Sequence, residues 1–213
     1  MNYLFVLLAF LFCHFSSLQA QDNEDYLSLD YGGLDSMMMI QYKSGNFAAA
    51  VPYLKYGIKK AKAEFGSTDS TYSLFLGNLA FIYIQMGQYP DAETIYLEQL
   101  TIKKELYGEK HSIYSSALNS LAILYFRMGK YDLAETYYKQ TIELSKKHLG
   151  FDNTTHANSL NNLASLYLQI GKLELAEPLY KQSMGIMKQT AGTEHKDYAF
   201  ALNNLAYLYY QMA

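Results

Sequence analysis

The five histidines are the residues of this 213-residue chain best suited to chemistry, because imidazole binds metals and transfers protons near neutral pH. His111 and His195 stand 84 residues apart, each just before a stretch with helical periodicity, and we expect them to pack in loops or to help begin those helices. His148 and His156 have no Cys or carboxylate cluster at metal-ligand spacing. His14 lies in the apolar N-terminal segment. The sequence therefore predicts no metal site.

Other features of catalytic sites are also missing from the sequence. No Ser or Cys stands in a nucleophile-elbow motif, and no glycine-rich phosphate loop is present. The single cysteine, Cys13, can form neither an internal disulfide nor a thiolate metal site. A formal net charge of -3 argues against a nucleic-acid partner, and 50% hydrophobic residues argue against a disordered chain. We therefore expect a folded protein that is not an enzyme and needs no cofactor.

The first twenty residues differ from the rest of the chain. They carry no charged side chain, and the apolar run Tyr3–Cys13 is shorter than the roughly 20 residues of a membrane span. Its length is typical of a signal peptide, and Ser16–Ala20 supplies a cleavage site before Gln21. The missing Lys or Arg near Met1 and the bulky Leu18 weaken this interpretation, which leaves an uncleaved anchor or a wrongly assigned start of the sequence as alternatives. We predict a signal peptide over 1–20, export, and no stable membrane insertion after cleavage.

A 42-residue repeat organises the remaining sequence. Leu-Ala pairs recur with this step at Leu79-Ala80, Leu121-Ala122, Leu163-Ala164 and Leu205-Ala206. Glycines recur with the same step at Gly45, Gly87, Gly129 and Gly171, and again at Gly66, Gly108, Gly150 and Gly192. A fixed period of this length is typical of an array of stacked supersecondary units.

Each repeat unit is predicted to be a pair of helices. In the third unit, Leu118, Leu121 and Tyr125 share one helical face, and Gly129 ends that helix. The first helices are predicted near 34–44, 70–86, 112–128, 154–170 and 196–212. The second helices are predicted near 48–64, 90–106, 132–148 and 174–190. Residues 21–33 are predicted to be a short polar, acidic lead-in.

The spacing L-x-x-LA-x-x-Y-x-x-x-G-x-(Y/F)-x-x-A-x-x-x-Y, found over Leu118–Tyr138, resembles the tetratricopeptide repeat in the 42-residue form of kinesin light chains. The resemblance covers about 34–213, in four helix pairs and one unpaired first helix. It implies an all-α, right-handed superhelical solenoid of antiparallel helix pairs with a concave groove. It also implies a protein or peptide partner held in that groove.

Asparagines recur at one position of the first helices, at Asn119, Asn161 and Asn203. In the resembled family this stripe faces the concave groove. An amide offers both a donor and an acceptor, which suits a bound peptide backbone; the alternative is that the amides only bridge neighbouring helices. The predicted peptide-binding stripe also includes one cation and several apolar or aromatic neighbours: Phe81, Ile84, Ile123, Phe126, Arg127, Leu168, Tyr207 and Tyr210.

Lysines recur near the ends of the second helices, at Lys62, Lys104, Lys146 and Lys188. They could form a basic ridge for phosphate or anionic lipid. We favour the alternative that they offset the negative end of each helix dipole, since the net charge of the chain is -3.

These observations together predict an exported, extracytoplasmic (periplasmic or secreted) scaffold that binds a protein or peptide. The alternative is the N-terminal recognition arm of a larger protein, such as a caspase-like CHAT peptidase or a sensor kinase; a structural spacer role also stays open. The helix over 196–212 has no predicted partner helix. We therefore expect either a further segment of chain or self-association through this C-terminal edge.

Overall fold

The computed structural model describes residues 25–149 and 154–213, and the structured elements within these ranges are all helical. The α-helices are α1 (Tyr31–Lys43), α2 (Phe47–Phe65), α3 (Ser70–Gln85), α4 (Tyr89–Tyr107), α5 (Ser112–Arg127), α6 (Tyr131–Leu144), α7 (Thr154–Gln169), α8 (Leu173–Ala191) and α9 (Lys196–Met212). A 3-10 turn at Asp25–Ser28 precedes α1, and a π-helical turn at Ser145–Leu149 follows α6. The predicted all-α fold class is confirmed. The predicted signal peptide lies outside the described residues.

The chain divides into two compact units, unit 1 (Met1–Gly87) and unit 2 (Gln88–Ala213). Unit 1 holds α1 to α3, and in it α2 packs against both α1 and α3. Unit 2 holds α4 to α9, in which α6 packs between α5 and α7, and α8 packs between α7 and α9. The helix α7 also contacts α5 and α9. The first helices of successive repeats in unit 2 are therefore neighbours.

Most helix ends lie within two residues of their predicted positions, and the exceptions have local causes. The helix α1 begins at Tyr31, three residues before the predicted start at residue 34, because the Asp30 carboxylate accepts a hydrogen bond from the Gly33 N–H at 2.7 Å. The predicted helix 132–148 changes to π geometry after Leu144. There the Ser145 hydroxyl donates to the Ile142 carbonyl at 3.0 Å and competes with the regular helix ladder.

Two histidines begin helices, as predicted. The Nδ1 of His111 accepts a hydrogen bond from the Ile113 N–H at 3.2 Å, and the Nδ1 of His195 accepts one from the Asp197 N–H at 3.2 Å. Each imidazole therefore satisfies one of the N–H groups that the first turn of a helix leaves without an internal partner. An N-capping role accounts for both positions without any catalytic or metal-binding chemistry.

The ends of the second helices combine a lysine with a glycine. Lys104 lies in the last turn of α4, and Gly108 follows it with φ 76°, a conformation that favours glycine. Lys62 and Lys188 occupy the last turns of α2 and α8, while Lys146 lies in the π-helical turn. These placements agree with the helix-dipole interpretation of the recurrent lysines.

The core consists of the positions that define the repeat. The small residues at the start of the second helices are fully buried and allow close helix approach: Ala50, Ala92, Ala134 and Ala176. Most of the Leu-Ala pairs of the first helices are also buried, but Ala206 on α9 is exposed.

None of the helices in the described ranges has the length and apolar character that a membrane span requires.

Candidate ligand-binding surface

Amide hydrogen bonds join the first helices of unit 2. The Nδ2 of Asn162 on α7 donates to the Oδ1 of Asn119 on α5 at 3.3 Å. The Nδ2 of Asn204 on α9 donates in the same way to the Oδ1 of Asn161 on α7 at 2.9 Å. The third predicted asparagine, Asn203, is exposed on α9. The side-chain oxygens of Asn119 and Asn161 therefore bridge neighbouring helices, which is the alternative that the sequence left open for these amides.

The amide nitrogens of the same two residues are available for other contacts. Asn119 and Asn161 are half-exposed. No described residue accepts a hydrogen bond from the Nδ2 of either side chain. Because each side chain uses its oxygen for the next helix, the orientation of its amide group is restricted, and the nitrogen is the donor that is left for other contacts. The inter-helix bond thus uses the amide oxygen and leaves the Nδ2 donor of the same side chain for a ligand.

Unit 1 has the same bridge with a carboxylate in place of one amide. The Nδ2 of Asn78 on α3 donates to the Oδ1 of Asp35 on α1 at 3.3 Å. Asp35 stands 84 residues, or two repeats, before Asn119. An aspartate at this position therefore keeps the inter-helix bond but carries no N–H donor.

The apolar side chains of the predicted stripe in unit 2 become more accessible toward the C-terminal helix. Ile123, Phe126 and Leu168 are half-buried. Tyr207 is 52% exposed and Tyr210 is 76% exposed. This series provides apolar contact area beside the amides, with Arg127 as an exposed cation at the end of α5.

The two predicted residues in unit 1 differ in accessibility. Phe81 is 39% exposed, and the centre of its ring lies 5.3 Å from that of Tyr42. Ile84 is only 6% exposed, so its side chain belongs to the packed part of the fold. The helix α3 has buried side chains on most of its circumference, including Ile82 and Ile84, which is typical of an enclosed helix. A stripe predicted by angular position does not show how far burial extends around such a helix.

A second set of inter-repeat bonds was not predicted from the sequence. In unit 2, tyrosine hydroxyls of first helices donate to glutamates of the preceding second helices. The bonds join Tyr125 to Glu93 at 2.9 Å, Tyr167 to Glu135 at 2.9 Å and Tyr209 to Glu177 at 2.8 Å. The signal was present, because both the tyrosines and the glutamates recur every 42 residues.

Lysines complete these tyrosine–glutamate pairs. The ammonium of Lys139 lies 2.6 Å from Glu135, and its hydrogen bond is the main cause that lowers the pKa of that carboxyl, with help from the Tyr167 hydroxyl. Burial raises the pKa of Tyr167, and its bond to Glu135 raises that pKa further. The tyrosine therefore stays protonated and acts as a structural donor.

The chemistry available in the described ranges is hydrogen bonding, apolar contact and charge pairing. The described residues include no group of three or more His, Cys, Asp or Glu side chains that could hold a metal ion. His156 is buried, with its Nδ1 2.7 Å from the Ser145 hydroxyl. Side chains of these kinds can bind a ligand through hydrogen bonds, apolar contacts and charge pairs.

Comparison with known proteins agrees with the repeat architecture. The model of the tetratricopeptide repeat family matches residues 70–147 and 155–213. Among curated proteins, none matches the sequence. The structure is similar to that of BtubC (BKLC) from P. vanneervenii, with a TM-score of 0.73 and 21% identity over 84% of this chain and 71% of that one.

Two crystal structures of a Podosopora anserina kinesin light chain with nearly identical TPR-like repeats are also similar. Their TM-scores are 0.70 and 0.69, at 20% identity over 83% of this chain and 84% of each of theirs. At such identities the likeness supports the fold alone. Tetratricopeptide repeats are typically non-enzymatic scaffolds that bind proteins or peptides. Because the family model covers more than half of the sequence, this chain belongs to the tetratricopeptide repeat family.

Proposed function

We propose that this protein is an exported scaffold that holds an extended peptide or protein segment along the first helices of unit 2. The observation that carries the proposal is the pair of half-exposed amides, Asn119 and Asn161, at equivalent positions of adjacent helices. Their oxygens accept hydrogen bonds from the next helix, and their nitrogens donate to no described residue. An oriented donor at each repeat suits the regularly spaced carbonyls of an extended peptide.

The spacing of the helices is compatible with such a ligand. Packed helices lie about 8–10 Å apart, and an extended chain advances about 3.3 Å per residue. One amide per repeat would therefore meet about every third ligand residue. Between these contacts, the ligand side chains would lie against Ile123, Phe126 and Leu168. The exposed Arg127 favours an acidic ligand residue near α5.

The test begins with peptides selected from a random library on the purified protein. Because a hydrogen bond from an uncharged amide contributes about 0.5–1.5 kcal/mol, Asn161→Ala should weaken binding of a selected peptide several-fold in calorimetry. The paired change of Asn119 and Asn161 to Ala should weaken it more. Gln140→Ala, at an exposed position of the second helix α6, is the matched control and should bind like the parent. Unchanged affinity in the paired variant, accompanied by a lower melting temperature, would show that these amides are only structural.

We propose export on the basis of the sequence of the first twenty residues. The apolar run Tyr3–Cys13 and the segment Ser16–Ala20 supply the signal, with cleavage before Gln21. The intact mass of the protein recovered from an extracytoplasmic fraction would then match a chain that begins at Gln21. A mass that includes Met1–Ala20, or recovery only from the cytoplasm, would contradict the proposal.

A further inference from the structure

The equivalent asparagines of unit 2 form a row, the amide row, with one member on each first helix: Asn119 on α5, Asn161 on α7 and Asn203 on α9. The helix α7 contacts both α5 and α9, and packed helices lie about 8–10 Å apart. Asn119 and Asn161 both accept a hydrogen bond from the next helix, so their amide groups are oriented alike. A ligand that crosses these helices must therefore present acceptors in one direction at steps of about 8–10 Å.

This step distinguishes between two extended conformations of a ligand. In a β-strand, residues two apart face the same side but advance only about 6.6 Å, and residues three apart face opposite sides. A polyproline II helix has three residues per turn and rises about 3.1 Å per residue. Every third carbonyl then faces the same way after about 9.3 Å. The amide row therefore fits a polyproline II ligand better than a strand.

An apolar row accompanies the amide row, seven positions further along each first helix: Phe126, Leu168 and Tyr210. Phe126 and Leu168 are half-buried, and Tyr210 is 76% exposed. Leu168 stays accessible although α8 packs against α7, so helix packing within a repeat does not cover this position. The side chains of a polyproline II helix also recur every third residue. One ligand side chain can therefore contact one member of the apolar row in each repeat.

The polar groups of this surface favour proline in the ligand. The oxygens of Asn119 and Asn161 are used within the protein, so these restricted amides offer a ligand donors only. Proline supplies a carbonyl acceptor and has no N–H that would need a partner. Apart from Arg127, the predicted peptide-binding stripe carries no charged side chain, and 198–213 in α9 and beyond contains none. The surface therefore suits a largely uncharged segment.

We propose that these two rows bind a proline-rich segment of another protein in the polyproline II conformation. Its carbonyls would accept hydrogen bonds from the Nδ2 groups of Asn119 and Asn161, and its rings would pack against the apolar row. Aromatic-lined surfaces recognise such segments because the ligand conformation is already formed before binding. This inference rests on the proposed function, since it names the class of peptide for the same surface.

The test uses the purified full-length chain and decaproline with acetyl and amide caps, so that the probe carries no charge. Calorimetric titration should show at least tenfold tighter binding of decaproline than of a capped ten-residue Gly-Ser peptide. Tyr210→Ala should weaken decaproline binding several-fold through the lost ring contact. Asn161→Asp keeps an acceptor for Asn204 but removes the donor, and it should also weaken binding several-fold.

A matched control replaces an exposed apolar residue outside both rows. Leu106→Ala, on the second helix α4, should bind decaproline like the parent. Absence of decaproline binding, equal affinity for the Gly-Ser peptide, or parent-like affinity of Tyr210→Ala or Asn161→Asp would each overturn the inference. Library-selected peptides that depend on Asn119 and Asn161 but do not compete with decaproline would overturn this inference alone and leave the proposed peptide-binding function standing.

Discussion

Both units have the same kind of bridge between their first helices, but they differ in the other contacts that recur between neighbouring helices. In unit 2, polar bonds recur at each repeat, as in the pair of Tyr125 and Glu93. In unit 1, aromatic packing is prominent: the ring of Tyr31 on α1 lies 5.9 Å from that of Phe65 on α2 and 5.8 Å from that of Phe75 on α3. A tyrosine that recurs in the first helices thus forms a recurrent hydrogen bond only where its glutamate partner also recurs.

The tyrosine position illustrates this difference. Tyr83 in α3 is the equivalent of Tyr125, but the position equivalent to Glu93 is occupied by Val51 in unit 1. Valine offers no acceptor to a hydroxyl. Unit 1 instead contains Gly57 in α2, which is buried and allows the ring of Phe75 to approach the helix backbone. The tyrosine–glutamate bond at this repeat position is therefore absent from unit 1, and Gly57 provides close packing elsewhere in the same unit.

The largest expected effect comes from filling that close approach. A Cβ on Gly57 would overlap the ring of Phe75, so Gly57→Ala should destabilise the protein by about 1–3 kcal/mol, as overpacking does. Gly185→Ala is the matched control, because it also changes a glycine inside a helix but meets no atom within 4 Å. It should be neutral or stabilise by up to about 1 kcal/mol. Denaturant unfolding gives the free energy of unfolding of both variants. Equal destabilisation would contradict the conclusion that the close approach of Phe75 makes Gly57 the more sensitive position.

A smaller effect is expected from removal of a tyrosine hydroxyl. Tyr125→Phe should lower the free energy of unfolding by about 1 kcal/mol, because Glu93 loses a hydrogen-bond donor. The same change at Tyr83, where Val51 stands opposite in the repeat pattern, should have little effect. Denaturant unfolding of the two variants therefore compares the loss of the same hydroxyl in a repeat with a glutamate partner and in one with a valine at the partner position. Equal losses would show that the tyrosine–glutamate bonds contribute no net stability.

The smallest expected effect is a pH dependence specific to unit 2. Burial lowers the pKa of His156 below its ordinary value of 6.5, and the charge of Lys146 lowers it further. The unfolded chain then binds a proton that the folded chain resists. The contribution of neutral His156 to the free energy of unfolding is fully present above pH 6.5. It is lost as the pH falls through the lowered pKa of this histidine. Unit 1 has Tyr72 at the equivalent position, and tyrosine does not ordinarily titrate in this range.

Thermal unfolding between about pH 7.5 and pH 5 tests the direction of this pH dependence, because the ordinary pKa of a histidine lies within that range. His156→Tyr restores the residue of the other repeats and should reduce the loss of stability on acidification. An unchanged slope in His156→Tyr would assign the pH dependence to other groups.

The sequence predicted the helices because their ends depend on local signals. Glycines such as Gly129, with φ 71°, and the recurrent Leu-Ala pairs mark each unit within a few residues. The 3-10 turn before α1 and the π-helical turn at Ser145 were not predicted. Their geometry depends on side-chain hydrogen bonds such as that from Ser145 to Ile142, which periodicity does not encode.

The candidate surface was less predictable than the helices. Equivalent positions identified Asn119 and Asn161, but the use of their oxygens by the next helix depends on how closely the helices pack. Ile84 has the same angular position as accessible residues in other repeats, yet it is buried. Accessibility depends on neighbouring elements as well as on helix phase, so a stripe inferred from one helix gives only candidates.

The most direct test of the central proposal separates the two halves of the Asn119 amide. Asn119→Asp retains an oxygen acceptor for Asn162, as Asp35 does for Asn78 in unit 1, but it removes the Nδ2 donor. The measurement is the affinity for a library-selected peptide, at about 0.15 M and about 0.5 M salt to screen the added charge, together with the melting temperature. We expect a several-fold loss of affinity at both salt concentrations and a melting temperature close to that of the parent. Parent-like affinity at high salt would contradict the account, because the amide nitrogen would then have no role in binding.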